Sequence, residues 1–262
     1  LGEGFLAFNI ASAGLAGFVD DLRLLQFKAL ALARTGSPEA ANTVLRRLAS
    51  AGHRDEETLG LLARTHKDLW QVAPDTPAGQ THLARCRALY HRAFKETGGY
   101  YSGINAAATG LMLGRAPEAR RLAETVQSIC EEQLVFGGGD EAYWLAATRA
   151  EAILITGDVP AAKQAYADAV QGSNVGFAAV SSTRSQARLL LQALGRDVAE
   201  LDECFQLPSV AAFAGHMFDS PGRKQERFPA KHAAKAKRNL KRLIDGKRIR
   251  VGYSALACGG DL

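Results

Sequence analysis

AILITGDVPAAKQAYADAV, residues 152–170, holds a helix, a stop and a second helix. Ala152 to Thr156 is an apolar run. Gly157 can take the left-handed conformation that closes a helix. Asp158 is a helix-capping residue for the run that follows. Three other stretches share the form: ALARTGSPEAANTV, GLMLGRAPEARRLAETV and LQALGRDVAELDECF, pivoting on Gly36, Gly114 and Gly195. The pivots are 78, 43 and 38 residues apart. The first gap is twice the others, so one unit is expected inside it. HRDEETLGLLARTHKDLW followed by TPAGQTHLARCRALYHRAFKETG supplies that helix pair.

The runs between pivots are amphipathic. Leu22, Leu25, Ala29 and Leu32 recur at helical spacing, as do Ala119, Leu122, Val126 and Ile129. Ser37 and Asp158 are expected caps, with Pro38 and Pro117 in first turns. Alanine crowds the expected inner faces (Ala106, Ala107, Ala108; Ala146, Ala147, Ala150) and allows close helix approach. A period near 40 with two helices per unit predicts an α-solenoid of about five pairs between Phe5 and Gln206. A plain helical bundle is the alternative.

GGYYSGINAAATGLMLG, followed about 30 residues on by EAYWLAATRAEAILITGD, resembles the tetratricopeptide-type TRAF-binding region of the apoptosis signal-regulating kinases and of bacterial multidomain proteins. LLQFKALALARTG and DEETLGLLARTHKDLW are similar to its bacterial members. The resemblance runs from about Leu22 to Leu194. It implies irregular tetratricopeptide-like repeats and a non-catalytic regulatory scaffold that binds protein partners. Its sharpest part makes Tyr100, Tyr101, Asn105, Tyr143 and Trp144 the candidate protein-binding residues. The same aromatics also suit packing between repeats. Trp70 and the run Arg64 to Asp68 carry the same two readings, with His66 and Lys67 expected on a solvated face.

After Leu207-Pro208 the pattern changes. SVAAFAGH reads as a strand, MFDSPGRKQERFP as a loop, PAKHAAKAKRNLKRLIDG as a helix, and RIRVGYSALACGGDL as a second strand running into a glycine turn. Ala233, Ala236, Leu240, Leu243 and Ile244 should share the helix's apolar face. The order predicts parallel strands joined by a right-handed crossover, a partial βαβ Rossmann-like element. Two domains follow, a helical repeat domain over 1–206 and the start of an α/β domain over 207–262. The order GH…R…GYSALACGGD resembles the SLOG superfamily, which includes the LOG-type phosphoribohydrolases and the DprA proteins. That resemblance implies a nucleotide-like ligand, with Gly215, His216, Arg223, Ser254, Gly259, Gly260 and Asp261 as candidate contacts. Glycines let backbone amides approach phosphate, and an arginine can grip it bidentately. No PGGxGT motif is present, so catalysis is not implied.

The totals set the outer limits. Hydrophobic residues make up 47% of the 262 and charged residues 23%, an ordinary globular composition that excludes overall disorder. The chain begins at Leu1 and stops at Leu262, and it reads as a piece of a longer protein with the nucleotide site incomplete. The net charge of +5 is uneven. Residues 215–250 hold 12 Lys/Arg against 3 Asp/Glu, leaving the rest of the chain at −4. The basic helix 231–247 reads as a solvated face or as a contact for an anionic ligand. Nucleic acid is disfavoured because no aromatic residues interleave its charges. His216, Asp219 and Ser254 lack a nucleophile elbow, so no triad is read there. Cys86, Cys130, Cys204 and Cys258 are widely spaced, which excludes common zinc patterns and a disulfide framework and points to separate thiols in a reducing cytoplasm. No cofactor motif is present. The run GFLAFNIASAGLAGFV is too short to span a bilayer and is expected to be an opening helix packed on the next.

Overall fold

Helix stops built on glycine organise the chain. Gly36, Gly114, Gly157 and Gly195 all have φ between 69° and 102°. At Gly157 the left-handed turn lets its amide return to the Leu154 carbonyl at 3.0 Å, and the Asp158 carboxylate then accepts the Ala161 amide at 3.0 Å. The computed structural model describes residues 3–136, 141–172, 175–214, 217–247 and 249–254, without the side chain of Ser254. The chain divides into two compact units, Leu1–Phe205 and Gln206–Leu262.

The first unit runs α1 (Gly4–Gly17), α2 (Leu22–Arg34), α3 (Pro38–Ser50), α4 (Glu56–Val72), α5 (Pro77–Thr97), α6 (Tyr100–Met112), α7 (Ala116–Val135), α8 (Ala142–Thr156), α9 (Val159–Gln171) and α10 (Phe177–Ala193). From α1 to α9 each helix packs on the next, while α2 meets α4 and α6 meets α8. The even-numbered helices therefore form one layer of a solenoid. Hydrophobic burial supplies most of the cohesion. Ala29, Ala41, Leu45, Leu48 and Leu62 form one cluster, with Leu22, Leu25 and Leu32 packed against it. Each fully buried leucine contributes about 1.5–3 kcal/mol. Ala106, Ala107, Ala108, Ala147 and Ala150 are buried, and Ala146 is half-buried.

Polar side chains fix the register of α4. Gln26 of α2 donates to Thr58 Oγ1 at 2.9 Å, Asn42 of α3 donates to Thr65 Oγ1 at 2.8 Å, and Ser102 of α6 donates to Glu56 at 2.8 Å. Asp21, Asp55 and Thr76 cap α2, α4 and α5, and sequence reading had missed all three. Ser37, an expected cap, makes no capping bond. Its φ and ψ of −118° and 58° lie off the extended geometry that aims a hydroxyl at the first turn.

The fifth unit departs from the repeat. After Gly195 the expected second helix is reduced to turns and a short 3-10 segment, Asp202–Phe205. Buried Leu201, Cys204 and Phe205 hold it down, with the Phe205 ring 5.2 Å from Tyr166 of α9. Arg184 and Arg188 of α10 pair with Asp202. α10 itself packs across α6 and α8.

In the second unit β1 (Ser209–Phe213) pairs in parallel with β2 (Ile249–Ser254), Val210 opposite Val251 and Ala212 opposite Tyr253. Between them lie a 3-10 turn, Ala230–His232, and α11 (Ala233–Gly246), which contacts β2. Ala233, Ala236, Leu240 and Ile244 are half-buried, but Leu243 is 48% exposed. Among the described residues the apolar stripe of α11 is therefore only partly sheltered. Cys86, Cys130 and Cys204 are free and buried, while Cys258 lies outside the described residues. No described helix is long and apolar enough to cross a membrane.

Gly103 marks a close approach of α6 to its neighbours. A Cβ there would sit 2.6 Å from Val126 Cγ2 and 2.8 Å from Phe94 Cδ2. Gly103→Ala should therefore lower unfolding stability by about 1–3 kcal/mol through overpacking, despite alanine's better helix propensity. Chemical denaturation of the two proteins measures this, and an unchanged or raised midpoint would refute the close packing.

Candidate binding groove

Two cavities of the helical unit differ in character. An apolar one of about 380 Å³ lies between α1 and α2. A smaller and more polar one, of about 240 Å³, is shared by α4, α6, α8 and α10.

Helical spacing places the residues of the polar cavity. Arg64, Lys67, Asp68 and Gln71 fall at i, i+3, i+4 and i+7 on α4, and Trp144, Ala147, Thr148 and Glu151 repeat that spacing on α8. α6 adds Tyr101, Ile104 and Asn105, and α10 closes the cavity with Ser182, Gln186 and Leu189. Two aromatic side chains stand half out of the core, Tyr101 and Trp144, each 44% exposed. Each has a buried aromatic behind it. Tyr90 meets Tyr101 edge-on with ring centroids 5.9 Å apart, and Tyr143 meets Trp144 edge-on at 5.1 Å. The Tyr143 hydroxyl shares a 2.9 Å hydrogen bond with Thr183 of α10.

The candidate protein-binding residues therefore separate. Tyr101, Asn105 and Trp144 line the cavity. Asn105 also donates back to the Tyr101 carbonyl at 2.9 Å. Tyr143 is buried behind Trp144, and Tyr100 donates instead to Glu141 at 2.9 Å. The run 64–68 splits between two faces of α4. Arg64, Lys67 and Asp68 face the cavity, while Thr65 and His66 pack toward α3 and α5. The expectation that His66 and Lys67 lie on a solvated face is wrong. His66 is 5% exposed, with its Nδ1 2.8 Å from His82 Nδ1, and Lys67 donates to Gln186 of α10. At this level of α4 one side packs on α5 and the other lines the cavity, so neither residue has a fully solvated face.

Sequence reading missed Glu151 and Gln186. Gln186 donates to Glu151 at 2.7 Å while accepting from Lys67, so one amide joins a cation to a carboxylate. The signal for Glu151 was a lone acid inside the apolar run AEAILI. Burial pushes the Glu151 carboxyl up to about 7, against the pull of Gln186 and Lys67. Burial also lowers the Lys67 ammonium and raises Asp68, although Arg64 and Lys67 act on Asp68 in the opposite sense. Among the described residues no group of three His, Cys, Asp or Glu side chains could hold a metal ion.

Of the candidate nucleotide contacts, Arg223 alone has a described side chain. Its Nε donates to the Gln225 carbonyl at 3.0 Å and lies 3.6 Å from Asp219 Oδ1. Asp219 in turn accepts the Arg227 and Phe228 amides at 2.9 and 3.0 Å, closing the loop after β1. Gly215, His216, Gly259, Gly260, Asp261 and the side chain of Ser254 lie outside the described residues.

Comparison with known proteins agrees with the helical architecture. The family model Tetratricopeptide Repeats-Sensor (TPR-S) matches residues 7–111. The crystal structure of TTC0263, a thermophilic TPR protein from Thermus thermophilus, is similar with a TM-score of 0.56 and 15% identity, over 70% of this chain and 90% of that one. No curated protein matches. The chain carries tetratricopeptide-like helical repeats.

Two buried groups give opposite pH dependences. Glu151 is raised from 4.5 to about 7, so its contribution is fully present below pH 4.5 and lost as pH rises through 7. His66 is lowered from 6.5 to about 4 by burial, then by His82, Arg85 and Arg46. Its contribution is present above pH 6.5 and lost as pH falls through 4. Glu151→Gln should gain about 1–3 kcal/mol over wild type between pH 5 and pH 8, and His66→Gln should flatten the loss of stability below pH 6.5. Unfolding curves across this range measure both slopes, and parallel curves for wild type and either variant would refute the corresponding assignment.

Proposed function

We propose that the helical unit is a non-catalytic regulatory scaffold that binds a protein partner in the groove formed by α4, α6, α8 and α10. One observation carries the reading. Tyr101 and Trp144 stand half-exposed on a rigid aromatic backing, with Arg64 beside them. Trp, Tyr and Arg dominate the energetics of protein interfaces, and pre-positioned rings lose little entropy on contact. The tetratricopeptide-like repeats and the resemblance to the TRAF-binding regulatory region support the same reading. That resemblance is to a region not known for catalysis.

A second reading concerns the other unit. The parallel order β1–α11–β2 and the net charge of +9 over residues 215–250 favour the start of a SLOG-type Rossmann-like domain that takes a nucleotide-derived signal. Arg223 would then exchange its contacts with Asp219 and Gln225 for a phosphate.

The partner reading is tested by affinity purification of the full chain from cells of its source, followed by binding measurements on the proteins retained. Trp144→Ala and Tyr101→Ala should each weaken a retained partner by tenfold or more, since an anchoring aromatic is worth about 2 kcal/mol or more. Undiminished binding by both variants would place the interface elsewhere and overturn the proposal.

A further inference from the structure

The polar cavity is lined by side chains of both charge signs. Arg64 and Lys67 come from α4, with Asp68 beside them, and Glu151 faces them from α8. Arg64 and Asp68 are one helical turn apart, a spacing that brings side chains within reach. Among the described residues neither they nor Lys67 and Glu151 form an ion pair within 4.0 Å. Lys67 and Glu151 each bond instead to the neutral amide of Gln186. The Arg64 Nε is buried and has no hydrogen-bond partner. A buried donor left unpaired is costly.

We propose that this cavity binds a free α-amino acid as its zwitterion, with the carboxylate at Arg64 and Lys67, the ammonium at Asp68 and Glu151, and an apolar or aromatic side chain between Tyr101 and Trp144. Each alternative guest leaves something unmet. A simple anion meets two carboxylates, and a simple cation meets Arg64 and Lys67. Size agrees. At about 240 Å³ the cavity is smaller than the roughly 300–1,000 Å³ of pockets for drug-sized ligands, so it suits one small molecule. The walls add Ile104, Ala147 and Leu189, which offer an apolar side chain a dry surface beside the two rings.

Calorimetry of the full chain with each standard α-amino acid tests the proposal. At least one apolar or aromatic amino acid should bind with a Kd of about 1 mM or tighter. Its amide, which lacks the carboxylate, and its N-acetyl derivative, which lacks the ammonium, should each bind at least tenfold more weakly. Arg64→Gln and Asp68→Asn should each reduce binding by a similar factor while the free protein keeps its helical circular dichroism. If a variant fails to fold, the analogue series on the native chain decides alone. No heat with any amino acid at about 10 mM, or analogues that bind as tightly as the parent, would overturn the proposal. The two readings share Tyr101, Trp144 and Arg64 and are told apart by ligand: the analogue series is scored on small molecules alone, and the partner reading on a retained protein.

Discussion

Gln186 stands between Lys67 and Glu151 and ties α10 to α4 and α8 through a chain of two hydrogen bonds. The amide oxygen faces the cation and the amide nitrogen faces the carboxylate, so each end of the side chain meets the partner its polarity requires. α10 packs across α6 and α8, and Gln186 reaches from it to α4. It also holds two opposite charges apart. Replacing the amide by an apolar residue would leave both ends buried and unmet.

α4 is the element on which both faces of the solenoid converge. One side is tied to α2, α3 and α6 by Gln26, Asn42 and Ser102, each bond made between side chains of modest reach. Such bonds contribute about 1 kcal/mol apiece, but a register slip would strand them all in the core, where the penalty is larger. With its register fixed, α4 presents Arg64, Lys67 and Asp68 to the cavity at constant spacing. Specificity of packing on one side becomes specificity of charge on the other.

The repeat was legible because its stops are chemical. Glycine in a left-handed turn, an Asp cap and a proline in the next first turn act locally, so Gly36, Gly114, Gly157 and Gly195 could be read without tertiary knowledge. The parallel pairing of β1 and β2 was legible from the order strand, helix, strand. The groove was less so. Tyr101, Asn105 and Trp144 stood out by type, but helix phase alone did not show that Tyr143 and Tyr100 turn away. Lys67 and His66 were misjudged because a charged residue on a helix reads as solvated until a third and fourth helix are placed around it. The loss of a helix after Gly195 was hidden as well. RDVAELDECF has helical composition, and only the burial of Leu201, Cys204 and Phe205 against the end of the stack turns it into a 3-10 segment.

The edge-on contact between Tyr143 and Trp144 has an optical consequence. The chain has two tryptophans, and Trp70 belongs to the part of α4 beyond the charged cluster, half-buried in the repeat. Trp144 holds its indole against a fixed ring on one side and open cavity on the other. Its emission therefore depends on what stands in the cavity, while the emission of Trp70 supplies a steady background. The groove carries its own fluorophore, placed where an occupant would displace solvent from the indole.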